Sequence, residues 1–137
     1  MKTVEEAIMT RLTGNSSLQT LLGGASRIYH ALEKVEPKIN SVTYMNVTNV
    51  PGGLQQDNLM VREETYMFSI FHNQYEEVMD LIYKLLHLYQ FPTPSDAGVI
   101  KALWDWEGPD DFDEGLQVGK KTVRYRFQVV RKAFEPI

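Results

Sequence analysis

The stretch with the most evident potential for chemistry is residues 108–115, because it combines glycines with carboxylates, the ligands that Ca²⁺ prefers. Its four carboxylates are Asp110, Asp111, Asp113 and Glu114. A calcium loop of the EF-hand type needs ligands at alternate positions, then a glycine and a distal glutamate. Here Gly115 occupies the third alternate position after Asp111 and Asp113, where a ligand is needed. We therefore expect no metal site and interpret the stretch as a solvated hairpin tip.

The charges around this tip are segregated along the chain. Every charge from Asp105 to Glu114 is acidic, and every charge from Lys120 to Lys132 is basic. Cross-strand pairing inside one hairpin would explain this pattern, and so would contact between the acidic tip of one subunit and the basic strand of its neighbour. The sequence leaves both interpretations open. For the second, the candidate interface residues are Asp110, Asp111, Asp113, Glu114, Arg124 and Arg126.

The remaining reactive residue types form no catalytic pattern. His30, His72 and His87 lie far apart along the chain, and there is no cysteine. The sequence also lacks a G-x-S-x-G elbow, a phosphate-binding loop and an H-E-x-x-H helix. We expect no catalytic residues, no cofactor and no enzyme activity. A hydrolase is a competing hypothesis, and it requires one histidine to line a pocket beside a carboxylate.

Two features argue against binding to nucleic acid. The net charge is −4 and the isoelectric point is about 5.3, whereas phosphate affinity needs a surplus of Lys and Arg. Trp104 and Trp106 have the spacing of one strand face and could stack on bases, but Asp105 and Glu107 beside them would repel phosphate. We interpret the two tryptophans as part of a core or an interface and expect no sequence-specific contact with nucleic acid.

Length and composition indicate one globular domain over residues 1–137. The hydrophobic share of 43% and the charged share of 23% are ordinary for such a domain. No apolar run approaches the ~20 residues of a transmembrane helix, and the first residues lack the apolar stretch of a signal peptide. We therefore expect no membrane contact and a protein made in a cytoplasm.

Capping signals and apolar periodicity predict two main helices. The first begins near Thr3, and a short second turn after it ends at Gly23-Gly24. The second main helix follows Asn73, which has the capping-box spacing to Glu76. Its apolar side is predicted to consist of Val78, Leu81, Ile82, Leu85 and Tyr89.

Alternating apolar residues predict four or five strands. The expected strands are Arg27–Leu32, Ser41–Val47, a central strand Thr65–Phe71, Gly98–Trp106 and Val123–Val130. Protruding loops are expected near 48–60 and 107–119. The short-connection rule then favours an α+β fold, an antiparallel four- to five-stranded sheet with the two main helices packed on one face. Its open face and edges would need a partner, so we expect self-assembly.

The order of these elements resembles the small tail-completion proteins of phage and prophage tail-gene clusters. The resemblance lies in the spacing of residues 21–24, 27–29, Pro37 and 42–44, and it continues through the later strands and helix. It implies a tail terminator, or tail-to-head joining protein, that forms a ring, typically hexameric. Such a ring caps the tail tube protein and docks to the head connector or neck protein. It would lie at the head–tail junction of the virion and occur in the host cytoplasm during assembly.

Two further hypotheses compete with this one. A head-side neck or stopper protein would be a small ring former at the same junction. A ferredoxin-like regulatory domain would instead dimerise through its open sheet face and bind a small ligand at the interface. The two classes differ in the predicted assembly, which is a ring in the first and a tight dimer in the second.

Overall fold

The structure, a computed structural model, describes residues 4–24, 27–31, 40–51, 59–88 and 99–132. Over these ranges the chain has the expected α+β fold, with helices packed against one face of a sheet. The elements are α1 Val4–Thr13, α2 Ser16–Leu22, β1 Ile28–His30, β2 Ser41–Pro51, β3 Leu59–Phe71, α3 Tyr75–Tyr83 with a π-helical turn over Lys84–Leu88, β4 Val99–Glu107, β5 Asp111–Asp113 and β6 Val118–Lys132.

The sheet is mixed, and β3 lies at its centre as predicted. Its strand order is β1-β2-β3-β6-β4, and β5 pairs with β6 beyond the end of β4. β1 runs parallel to β2, with Ile28 opposite Val42, whereas the other pairings are antiparallel. The expectation of an antiparallel four- to five-stranded sheet with two main helices is therefore met in part, since the described residues form a mixed sheet of six strands and three helices. Ten residues separate β1 from β2, so these two strands are not joined by the two-residue turn of an antiparallel hairpin.

The hairpin between β2 and β3 is longer than the sequence pattern predicted. The apolar alternation indicated a strand ending at Val47, yet the pairing continues to Pro51 opposite Arg62. A bulge between Asn46 and Thr48 shifts the register on the way. Backbone hydrogen bonds hold this extension together, so it does not depend on an apolar pattern. The end of the predicted arm, residues 52–58, lies outside the described residues.

One face of the sheet forms the core. On β3 and β6 the buried side chains alternate with half-buried ones, as predicted for both strands. The buried members are Tyr66, Phe68, Ile70, Val123, Tyr125, Phe127 and Val129. The same core contains buried side chains of α1, α2, α3 and the π-helical turn. They are Val4, Ala7, Ile8, Leu12, Leu18, Leu22, Val78, Ile82 and Leu86. Asn15 caps the start of α2, and its side chain accepts a hydrogen bond from the Leu18 amide at 2.9 Å. Gly23 caps the end of the helix in a left-handed conformation.

The helix after β3 differs from its prediction at both ends. Asn73 does not cap it, because the Asn73 side chain accepts a hydrogen bond from the Gly119 amide of β6 at 3.2 Å. Near the other end the backbone widens into the π-helical turn, which shifts the buried side by one residue. Leu86 is therefore fully buried where the regular spacing predicted Leu85, which is only partly buried. Tyr89 lies outside the described residues.

Trp104 and Trp106 lie on opposite faces of the sheet, so the prediction that they share one face is wrong. The register between β4 and β6 shifts between them, which is the mark of a β-bulge. Trp104 pairs with the buried Tyr125 and meets the Tyr83 ring of α3, with 5.4 Å between centroids. Trp106 pairs instead with Arg124, whose guanidinium lies 4.9 Å from the indole centroid.

Candidate subunit interface

The acidic tip is an ordered hairpin. β5 pairs with the start of β6, and residues 114–117 form the turn between them. One oxygen of Asp111 accepts a hydrogen bond from the Phe112 amide at 2.7 Å, and one of Asp113 accepts from the Leu116 amide at 2.8 Å. The Gln117 side chain donates to the Glu114 carbonyl at 2.6 Å. These bonds hold the loop in one shape, so its outward side chains are presented in fixed positions.

The base of the tip is clamped by a buried lysine. The Lys121 ammonium lies 2.9 Å from an Asp110 oxygen and 3.1 Å from a Glu107 oxygen. Burial alone would lower the pKa of Lys121, but its hydrogen bonds and charge contacts with these carboxylates outweigh burial, so the pKa is raised. The pKa of Asp110 is lowered, first by the hydrogen bond with Lys121 and then by one with Tyr75. The clamp thus joins the tip to β6 and to the first turn of α3.

The other basic residues of β6 are used in different ways. The Arg126 side chain lies 3.1 Å from an Asp105 oxygen and 3.8 Å from a Glu63 oxygen, so it bridges β4 and β3. Arg124 stacks on Trp106 and forms no ion pair with any described residue. Both arginines lie on the sheet face that carries no described helix, because the residues between them and beside them face the core.

The structure therefore divides the six candidate interface residues into two groups. Asp110 and Arg126 are paired within the chain, in line with the hairpin interpretation. Asp111, Asp113 and Glu114 form no ion pair with any described residue, and the Trp106 indole is the one partner of the Arg124 guanidinium among those residues. The contact between subunits stays a prediction. Asp111, Asp113, Glu114 and Arg124 are the candidates whose charges could pair with a neighbouring subunit.

A residue that the sequence analysis missed lies in the middle of the tip. Phe112 is 51% exposed, the largest exposure among the large apolar side chains that the structure describes. Its position opposite Gly119, which has no side chain, leaves the ring without a cross-strand neighbour on β6. The sequence could have indicated this residue, because an aromatic side chain between two aspartates is unexpected in a tip that only faces solvent.

A ladder of apolar and basic side chains crosses the open face of the sheet. Four neighbouring strands each contribute one residue to it, in the order Met45 of β2, Met67 of β3, Arg124 of β6 and Trp106 of β4, and each residue is the cross-strand partner of the next. All four positions are partly or well exposed, and Trp106 is 42% exposed. Methionines make adaptable contact surfaces because their unbranched thioethers fit many shapes. This open-face ladder can therefore receive an apolar group with a negative rim.

A concave surface lies between α3 and β4. This groove of about 470 Å³ is lined by Glu76, Met79, Asp80, Tyr83 and Trp104. Of its two carboxylates, Asp80 is paired with Lys84 at 3.0 Å, and Glu76 forms no ion pair with any described residue. The groove therefore keeps one negative charge, the same sign as the tip. Like charges would oppose binding of the tip here, so the groove and the open-face ladder differ in the partner that each can accept.

The described histidines have structural contacts. His72 is buried, and its Nδ1 accepts a hydrogen bond from the Gln74 amide at 2.8 Å, so its Nε2 donates to the Leu21 carbonyl at 2.9 Å. His30 contacts Glu5 at 3.8 Å and the Tyr44 ring. The side chain of His87 lies outside the described residues. Within the described ranges, no group of three or more His, Asp or Glu side chains is placed to hold a metal ion.

Comparison with known proteins shows a likeness of fold to solved structures. No protein-family model and no curated protein matches the chain. The fold is similar to that of a chain in a solved structure described as the virion of a native gene transfer agent (GTA) particle, with a TM-score of 0.66. The similarity covers 94% of this chain and 96% of that chain at 10% sequence identity. The protein is thus an α+β domain with the fold of that virion chain. None of the described helices is long and apolar enough to cross a membrane.

Proposed function

We propose that the protein is a structural virion subunit, a tail terminator or tail-to-head joining protein of a phage or phage-like particle. Its copies form a ring, most simply a hexamer, that caps the tail tube and docks to the head connector. The role needs no catalysis. The observation that carries the proposal is the likeness of fold to a virion chain over almost the whole of both chains.

The distribution of exposed groups supports a ring. A ring needs two different surfaces on each subunit, so that one copy meets the next in a head-to-tail manner. The tip of residues 111–114 and the open-face ladder are two such surfaces, with opposite charges. In addition, β4 borders the sheet with no described strand on its outer side, and such edges are commonly used for pairing.

The test is the mass of the purified protein by light scattering over a wide range of protein and salt concentrations, with negative-stain imaging of the largest species. A ring of about six copies that weakens in high salt is expected, because opposite charges contribute to the contact. A protein that is monomeric alone would then be added to purified tail tubes, where the expected result is a ring at one end.

Three results would change the assignment. A tight dimer that is insensitive to salt, with a melting temperature raised by a small ligand, would favour the regulatory-domain hypothesis. A ring that binds purified heads but no tails would favour a neck or stopper protein. Absence of any oligomer, both alone and with tails, would overturn the proposal.

A further inference from the structure

We infer that Phe112 and the carboxylates beside it dock onto the open-face ladder of a second copy of this chain. The inference rests on the proposed ring and specifies the contact that builds it. The docking group is the tip around Phe112. The receiving surface is the ladder of Met45, Met67, Arg124 and Trp106.

The tip has the properties of an anchor. Its aromatic ring is more than half exposed, and the hydrogen bonds of Asp111 and Asp113 to backbone amides fix the loop that carries it. A rigid anchor loses little conformational freedom on binding, and buried aromatic residues dominate the energies of many interfaces. Each of the two carboxylates also keeps a second oxygen for a cation at the rim.

The open-face ladder complements the tip in apolar character and in charge. Two methionines and an indole offer apolar contact to a phenyl ring, and sulfur and aromatic groups attract each other. Arg124 stands between Met67 and Trp106 with no ion pair to any described residue. A guanidinium that is already stacked on an indole can still donate hydrogen bonds to a carboxylate in its own plane.

The contact cannot form within one chain. Phe112 lies opposite Gly119, and Arg124 lies further along the same strand, so both belong to one rigid sheet. The tip must therefore reach the ladder of another copy. Because tip and ladder are different surfaces, the contact is heterologous and closes into a ring if the rotation between copies allows it.

The alternative receiver on a second copy is the groove between α3 and β4. It offers the aromatic rings of Tyr83 and Trp104, but Glu76 and Asp80 line it. Lys84 lies 3.0 Å from Asp80, but Glu76 forms no ion pair with any described residue, so Asp111 and its neighbours would meet an uncompensated carboxylate there. Charge therefore selects the open-face ladder.

The chain's lack of cysteine permits a direct test by cross-linking. A Phe112→Cys variant and a Met67→Cys variant are mixed, with tail tubes present if these are needed, and a short bismaleimide is added. Because Phe112→Cys itself removes the aromatic anchor, the protein concentration is raised well beyond about tenfold above the one that produces the ring. The expected product is a covalent dimer that forms only in the mixture. The control mixture combines Phe112→Cys with Glu77→Cys, an exposed position on α3. It should give far less dimer.

A second measurement tests the energy of the contact. Phe112→Ser should weaken assembly by about tenfold or more, as expected for loss of an aromatic anchor. It should leave the urea unfolding midpoint of the monomer unchanged, because the ring is exposed.

The outcomes separate this inference from the proposed function. A ring that assembles normally with Phe112→Ser and shows no cross-link between positions 112 and 67 overturns the inference while the ring stands. A cross-link between these positions in an oligomer that caps no tail supports the self-contact and contradicts the virion role. Equal cross-linking in both mixtures also overturns the inference, since it would indicate random collision.

Discussion

The pair of buried tyrosines at the centre of the sheet allows a sharp test of the core. Tyr66 of β3 and Tyr125 of β6 lie directly opposite each other and both face the helices. The Tyr66 hydroxyl donates a hydrogen bond to the buried Glu64 carboxylate at 3.2 Å. The Tyr125 hydroxyl has no hydrogen-bond partner among the described residues, although the side chain is fully buried. Replacement of each tyrosine by phenylalanine therefore removes a hydrogen-bonded hydroxyl at position 66 and a buried hydroxyl without a described partner at position 125.

The expected effects have opposite signs. A buried polar group without a partner costs about 1–3 kcal/mol, so Tyr125→Phe should raise the free energy of unfolding by about 1 kcal/mol. The ring keeps its edge contact with Phe68, at 5.7 Å between centroids. Tyr66→Phe should lower the free energy of unfolding by about 1–2 kcal/mol, because it breaks a hydrogen bond to a charged acceptor and leaves that acceptor less satisfied.

Urea unfolding followed by fluorescence measures both variants against the parent protein. For a domain of this size 1 kcal/mol corresponds to roughly 4 °C in melting temperature, so the two variants should differ by roughly 8–12 °C. Equal slopes of free energy against urea would show that the substitutions act on the folded state. If Tyr125→Phe destabilised the protein as much as Tyr66→Phe, the hydroxyl would have a partner and the reasoning would be refuted.

Alkaline pH gives an independent check on Tyr125. Its pKa is raised, chiefly by burial and then by the charges of Tyr83, Asp80 and Glu107. In the unfolded chain a tyrosine ionises near pH 10, so above about pH 10 the unfolded state loses the proton while the folded state keeps it. The unfolded state then binds fewer protons, and stability falls as the pH rises. The fall should be smaller in Tyr125→Phe, and an identical fall would contradict the assignment.

Two further predictions concern the tip and a helix end. Because Lys121 lowers the pKa of Asp110, a carboxyl titration by NMR should show the Asp110 midpoint rising in Lys121→Met, and an unchanged midpoint would contradict the clamp. In the parent protein the pair stabilises the fold above the unfolded pKa of Asp110, and this stabilisation is lost as the pH falls through the folded pKa. Gly23 caps the end of α2 with φ 87°, so Gly23→Ala should lower the free energy of unfolding by about 1–2 kcal/mol and Gly23→Asn by less. Thermal unfolding measures both losses. Equal losses would argue against the left-handed conformation.

Much of the architecture follows from local patterns in the sequence. The alternation around Phe68 and Tyr125 predicted which sides of β3 and β6 are buried, and that prediction is confirmed. The stop of α2 at Gly23 is confirmed as well. These features depend on the periodicity of a single strand or helix, or on the backbone freedom of a single residue, so neighbouring residues alone contain the information.

The sequence did not distinguish the roles of the individual aspartates of the tip. Sequence identified Asp110 and Asp111 as equivalent members of an acidic cluster. In the structure Lys121 of β6 forms an ion pair with Asp110, whereas Asp111 accepts a hydrogen bond from the Phe112 amide. Which carboxylate meets Lys121 depends on how β5 and β6 are aligned, and that alignment is a property of two strands together.

The tertiary structure alone decided the features that most affect the proposed interface. The bulge in β4 turns Trp106 to the open face beside Arg124, whereas regular alternation would have kept it with Trp104. The pairing of β5 opposite Gly119 exposes Phe112. The sequence by itself determined an α+β domain with one apolar sheet face and a segregated charge pattern. The directions of pairing and the bulges came from contacts between segments distant in sequence, because a strand's register is set by the strand that it meets.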